Sequence, residues 1–228
     1  MDPTIQSPIP PKLGAGLTVS LSEIEAMGRK AARGAGYSWG LAEEAGRSAR
    51  WLSSHGLPGA ACLAMALEMV AEDFEAYRPR LSEGKWEADQ AVCPIQLGAI
   101  LSDRAEVIEG PVVIQAGPVL CPLLLLPALG WSAQDLGRGF SLKVGSAHLL
   151  ALPDGPVLDQ AMAGSVPGDA EVEIKPVGID HQALCATARG ECISASTWQR
   201  LAALAARTYV PSTDASRQGA GAGALDND

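Results

Sequence analysis

The chain is short of the residues that most often carry chemistry. It has three histidines (His55, His148, His181), two phenylalanines and three tyrosines in 228 residues. Its five cysteines, Cys62, Cys93, Cys121, Cys185 and Cys192, are odd in number and never spaced as CxxC. That pattern argues against a disulfide framework and against a structural zinc site, and for reduced thiols. Basic clusters are absent too, and 17 Lys and Arg against 26 Asp and Glu give a formal charge of -9. Phosphate binding needs a basic stripe that releases counterions, so nucleic acid is not an expected partner, nor is an anionic membrane surface. The longest apolar run, VLCPLLLLPALGW from Val119 to Trp131, is too short and too broken by proline to span a bilayer. The first residues, MDPTIQSPIPPKLGAG, have neither the basic nor the apolar region of a secretory signal. They read as an extended, proline-stiffened arm over 1–16, and the expected address is cytoplasmic.

What the chain does have is aliphatic bulk. Apolar residues make up 47% of it, with aromatic residues at only 4%, so packing is expected from alanine, leucine and valine. A chain of this length buries roughly 70% of the surface its unfolded form exposes, enough for one conventional core. SLSE at Ser20–Glu23 matches a capping box, and Leu21, Ile24, Met27 and Ala31 follow at helical spacing, predicting a helix from Leu21 to about Arg33. A second helix is expected from Ser38 or Trp39, with Leu41, Ala45, Ala49 and Leu52 inward and Arg47 and Arg50 outward, ending at Gly56. Pro58 opens a third, GAACLAMALEMVAEDFEAYR, apolar on most of its circumference and ended by Pro79.

From Gly110 the texture changes to short apolar runs divided by Gly and Pro, among them PVVIQAG, LLLLPAL, EVEIKPV and ECISAS, which read as strands. FSLKVGSAHLLAL reads as a hairpin about Gly145 and Ser146. A last helix is expected with Ser196 as its cap and Trp198, Leu201 and Leu204 as its apolar stripe. Helices, then strands, then one helix predict a single α+β domain over 1–228, with a helical part (17–80), a mixed or antiparallel sheet (110–195), a helix (196–210) and a polar, glycine-rich tail (211–228).

Few motifs survive inspection. GAGYSWG, from Gly34 to Gly40, has one residue too many for a dinucleotide loop and lies between two helices rather than after a strand. GAGAGA in the tail lacks the Lys and Ser/Thr of a phosphate-binding P-loop. His181 and Cys185 could share one helical turn, but two ligands do not make a zinc site, so no metal is expected. No G-x-S-x-G elbow is present. Two features remain. SSHG places Ser54 and His55 at a helix end, where a protonated imidazole is favoured by the helix dipole and Gly56 is an ordinary cap, or where His55 transfers a proton in a cleft. RTYVPSTDASR gathers Arg207, Tyr209, Ser212, Thr213, Ser216 and Arg217, an inventory suited to a carboxylate or phosphate and equally to a polar tail bonded to its own turns.

Residues 17–59, with the VSLSEIEAMGRKAARGAG helix, an alanine-rich second helix and SSHG at its end, resemble the NAD(P)-dependent malate/L-lactate dehydrogenase family with the sulfolactate-dehydrogenase-like fold. That resemblance implies a substrate and cofactor site at His55 with Ser54 beside it, and reduction of a 2-oxo or imino acid with NAD(P)H. Over its whole length, and in the ending ARTYVPSTDASRQGAGAGALDND, the chain is similar to an uncharacterised bacterial family, a domain of unknown function, which implies that the tail belongs to the domain. The leading expectation is a protein of that family, with no activity assigned, binding a small anionic metabolite between the helical half and the C-terminal segment. His55 would be the proton or hydrogen-bond partner, with Ser54, Arg207, Tyr209, Ser212, Thr213, Ser216 and Arg217 on the ligand. The alternatives are the NAD(P)-dependent oxidoreductase and a structural or assembly subunit, a homodimer for instance, that buries VLCPLLLLPALGW and the polar tail against a second copy or a different partner.

Overall fold

The computed structural model describes residues 16–103, 113–157, 168–179 and 188–209. The chain opens with a short strand, β1 (Leu17–Ser20), and passes directly into α1 (Leu21–Gly34). Ser20 closes the capping box: its hydroxyl accepts from the Glu23 amide while the Glu23 carboxylate accepts from the Ser20 amide. After a tight turn, Ser38 caps α2 (Trp39–Ser54), and Gly56, at φ 74°, ends it as expected.

α1 and α2 lie antiparallel and very close. A side chain on Gly46 would stand 2.6 Å from the Glu25 carbonyl oxygen, and one on Gly28 would stand 3.3 Å from the Gly46 Cα. Ala45, Ala49 and Leu52 are fully buried along α2, as their spacing predicts; Ala42 is buried with them, while Leu41, also expected inward, is only partly buried. α3 (Gly59–Val70) follows and is indeed apolar nearly all round. It does not run on to Pro79. The Asp73 side chain accepts the Ala76 amide at 3.3 Å and starts a 3₁₀ turn over Glu75–Tyr77, while Phe74 docks edge-on against Tyr37 with ring centroids 5.1 Å apart.

A hairpin of β2 (Arg80–Ser82) and β3 (Lys85–Glu87) and a helix α4 (Pro94–Asp103) then occupy a stretch in which no element is legible from the sequence. β4 (Ile114–Leu120) leads into the apolar run. There the expectation of a strand fails: Leu123–Leu126 belong to a 3₁₀ turn (Pro122–Leu125) and to the start of α5 (Leu126–Leu136). Cys121 turns the chain with a left-handed φ of 39°, and the run is buried on every side, so it has no periodicity to betray the helix. Because Leu123, Leu124, Leu125, Leu126 and Leu129 pack inside the chain's own core, this run is not a face left for an assembly partner.

The remaining elements are β5 (Gly139–Val144), β6 (Ala147–Leu152), β7 (Gly155–Val157), β8 (Asp169–Val177), β9 (Gly190–Ile193) and α6 (Ala195–Ala206). The expected hairpin at Gly145 is β5–β6. α6 begins slightly earlier than expected, because it is Ser194 whose hydroxyl accepts the Thr197 amide at 3.0 Å. A seven-stranded sheet runs β2-β3-β4-β8-β5-β6-β7, antiparallel except for β3 with β4, and β1 pairs separately with β9. The inner row Ile114, Ile174, Leu142 and Leu149 is buried beneath the helices. The adjacent row Gln115, Glu173, Lys143 and His148 lies on the outer face. The fold is α+β. Among the described residues no helix is long and apolar enough to cross a membrane.

The α1–α2 crossing gives a direct test. Gly46→Ala should lower stability by about 1–3 kcal/mol in denaturant unfolding, because the new Cβ must push the helices apart. Gly40→Ala, on the same helix with nothing within 4 Å of the added carbon, should be neutral or stabilising by up to about 1 kcal/mol. Equal effects of the two substitutions would reject close packing as the constraint.

Candidate functional site

α2 presents a stripe at helical spacing, Arg47, Arg50, Trp51, Ser54 and His55, on the side away from its buried alanines. Packing against α5 turns this stripe into one wall of a furrow. Gly130 on α5 faces the indole of Trp51, whose Cζ2 would stand 3.1 Å from a Cβ at that position, so glycine there leaves room for the ring. Three cavities follow one another along the seam. The first, of about 260 Å³, lies among α2, α4 and α5 and is bordered by Arg47, Ser102, Trp131 and Asp135. The second, of about 240 Å³, is lined by Glu25, Arg47, Arg50, Trp51, Ser54 and Trp131. The third, of about 260 Å³, is enclosed by Trp51, Ser54, His55, Gln134, Asp154 and their neighbours. Arg47 and Trp131 are common to the first two, and Trp51 and Ser54 to the last two.

The charged groups are held in place by their neighbours. The Arg47 guanidinium stacks 4.5 Å above the Trp131 ring and donates to Glu44 at 2.9 Å. Arg50 donates to Glu25 at 2.6 Å. Both ion pairs are largely solvent-exposed and so are weak, on the order of 0–1 kcal/mol. Each guanidinium has five N–H donors, so both keep capacity for a further acceptor.

His55 caps α2 and is half-buried. Its Nδ1 lies 2.8 Å from the Trp51 carbonyl oxygen, which can only accept, so Nδ1 carries the proton and donates. Ser54 donates to the same carbonyl at 2.8 Å, and its oxygen stands 3.2 Å from Nδ1. The imidazole also stacks on Trp51, with centroids 4.1 Å apart. Nε2 is left as a lone-pair acceptor with no hydrogen-bond partner among the described residues. Burial holds the imidazole below its ordinary range, and the bond to the Trp51 carbonyl offsets this only in part. Burial thus disfavours the protonated form that the helix-end position alone would favour.

The other predicted residues fall elsewhere. Arg207 caps the C-terminus of α6, and Tyr209 follows it, 63% exposed. α6 meets α1 at its far end, where Gly34 lies against the Leu204 carbonyl with no room for a side chain. His55 stands at the opposite end of α2, whose 16 residues span about 24 Å. The structure therefore does not bring Arg207 and Tyr209 to His55. Ser212, Thr213, Ser216 and Arg217 lie outside the described residues, as do His181 and Cys185. The C-terminal third reaches the His55 end by another route: Ala188 donates to the Ser54 carbonyl at 3.2 Å, and Glu191 accepts from the Ser53 hydroxyl at 2.5 Å and the Ala60 amide at 3.3 Å.

Sequence reasoning missed Arg47, Arg50, Trp51, Trp131, Gln134 and Asp154 as site residues. The signal on α2 was the 47, 50, 51, 54, 55 spacing, which places two arginines on the same face as SSHG. Trp131, Gln134 and Asp154 carried no signal, because only the tertiary fold sets them opposite that face. Burial pushes the Cys62 and Cys121 thiols up to about 12, which makes them poor nucleophiles. Among the described residues no group of three or more His, Cys, Asp or Glu could hold a metal ion. GAGYSWG forms the α1–α2 turn, no glycine-rich loop among the described residues joins a strand to a helix N-terminus, and the furrow is a chain of small cavities.

Residues 19–96, from β1 into α4, match the family described as "Protein of unknown function (DUF3726)". His55, Arg47 and Arg50 lie within the matched segment. No curated protein matches the chain.

The state of His55 can be measured. Nitrogen-detected NMR should find the Nδ1–H tautomer and a titration midpoint below about 6.5. Because the unfolded chain takes up this proton first, stability should fall as pH drops through about 6.5 toward the lower folded value, and less so in His55→Gln. A midpoint at or above the ordinary value, or an Nε2–H tautomer, would overturn the assignment.

Proposed function

We propose that the protein binds a small anionic metabolite in the α2–α5 furrow. Arg47 and Arg50 hold the anionic group, Trp51 and Trp131 pack on its body, and His55 Nε2 accepts a hydrogen bond or proton at one end. The observation that carries this reading is the pairing of two guanidiniums and two indoles around one cavity that shares Trp51 and Ser54 with the neighbouring cavity of His55. Arginine suits the task because it binds carboxylate and phosphate through paired N–H donors. This moves the anion from Arg207 to Arg47 and Arg50 and keeps the role first expected of His55. The negative charge of the chain supports a small-molecule ligand over a nucleic acid. The free, buried thiols of Cys62, Cys93 and Cys121 support a reducing, cytoplasmic address.

Isothermal titration with a panel of organic acids tests the reading. At least one acid should bind, and Arg50→Ala or Arg47→Ala should weaken it about tenfold or more, equivalent to about 1.4 kcal/mol. Arg207→Ala should leave the affinity unchanged. Binding lost in Arg207→Ala and kept in the other two would place the anion on α6 and reject the furrow.

A further inference from the structure

Two neighbouring cavities of the furrow share Trp51 and Ser54 and differ in charge. Arg47 and Arg50 line one of them, while Asp154 and Gln134 line the other. Among the described residues no lysine or arginine borders the Asp154 cavity. His55 adds a lone pair rather than a charge there, since its only ring proton is committed to the Trp51 carbonyl. The Arg47 and Arg50 cavity keeps a net positive charge although Glu25 also borders it, paired to Arg50, whereas the charged side chain of the other cavity is the Asp154 carboxylate. Trp51 and Ser54 border both cavities and offer an apolar surface between the two.

Resting on the anion-binding reading above, we propose that the ligand is a zwitterion whose carboxylate and ammonium stand at opposite ends of an aliphatic chain, an ω-amino carboxylate. Arg47 and Arg50 take the carboxylate. Asp154 takes the ammonium, which also lies near the electron-rich face of an indole, an arrangement favourable to cations. The aliphatic chain covers Trp51 between them. Arg50 and Ser54 are one helical turn apart, about 6 Å along the axis, so the two charges need several bonds between them rather than one shared carbon.

Asp154 sits in the turn between β6 and β7, followed by Gly155 at φ 134°. Aspartate is common in turns for reasons of backbone geometry alone, and asparagine serves the same geometry. Asp154→Asn therefore removes the charge while keeping the turn, and separates recognition from folding.

The experiment is isothermal titration of the full chain with 5-aminopentanoate, pentanoate and pentylamine. The proposal expects 5-aminopentanoate to bind at least about tenfold more tightly than pentanoate, and Asp154→Asn to erase that advantage without weakening pentanoate binding. If pentanoate and 5-aminopentanoate bind equally, or if the advantage persists in Asp154→Asn, the zwitterion is overturned while anion binding stands. If neither compound binds and the wider acid panel is also silent, both readings fall together.

Discussion

The close approach of α1 and α2 at Gly28 and Gly46 sets the rest of the molecule. Two helices without side chains at their crossing come close enough for backbone contact, and that contact fixes the rotation of α2 about its own axis. Once Ala42, Ala45, Gly46 and Ala49 face the core, Arg47, Arg50, Trp51, Ser54 and His55 have only one direction left, toward α5. A larger residue at either glycine would turn or lift α2 and scatter the stripe. The site is thus a by-product of how small side chains are distributed on the opposite face of its helix.

α5 completes the constraint from the other side. Its first turns are buried within the core, so its position is fixed by the apolar run Leu123–Leu129 and not by contacts with the furrow. Gly130 then sets the depth to which Trp51 can sink. Below, Glu191 ties β9 to the α2–α3 junction, its carboxylate shared by the Ser53 hydroxyl and the Ala60 amide of α3. Burial holds that carboxyl above the usual carboxylate range, a cost offset by two hydrogen bonds that join distant parts of the chain. The His55 end of α2 is held on three sides by these contacts, which is why its ring can be kept half-buried and in one tautomer.

Most local signals in the sequence held, although the last helix is capped by Ser194 rather than Ser196 and the third stops short of Pro79; non-local features were not legible. The capping box at Ser20, the start of α2 at Ser38–Trp39, the stop at Gly56 and the hairpin at Gly145 are each set by a few adjacent residues, and each appears where the sequence puts it. The run Pro122–Leu129 defeated the same reasoning because a segment buried on all sides shows neither the helical nor the strand period. The stretch 80–103 was silent for a different reason: β2 and β3 are three residues each, too short to establish alternation. His55 was legible as a helix end, yet its protonation was not. The helix dipole is written in the sequence; the burial that opposes it depends on Trp51, Gly130 and the β6–β7 turn coming together from three separate segments.

The same limit applies to charge. A chain at -9 repels anions at long range, and on that scale an anionic ligand looks unsuitable. The screening length at physiological salt is about 8 Å, however, so charges elsewhere on the surface hardly reach into the furrow. What decides binding there is the immediate pair of guanidiniums, pinned by Trp131, Glu44 and Glu25, and the carboxylate of the neighbouring cavity. A ligand with no net charge escapes the long-range repulsion and still engages both. Net charge describes what the whole surface attracts, whereas the order of residues along one helical face and one turn describes what a cavity between them can hold.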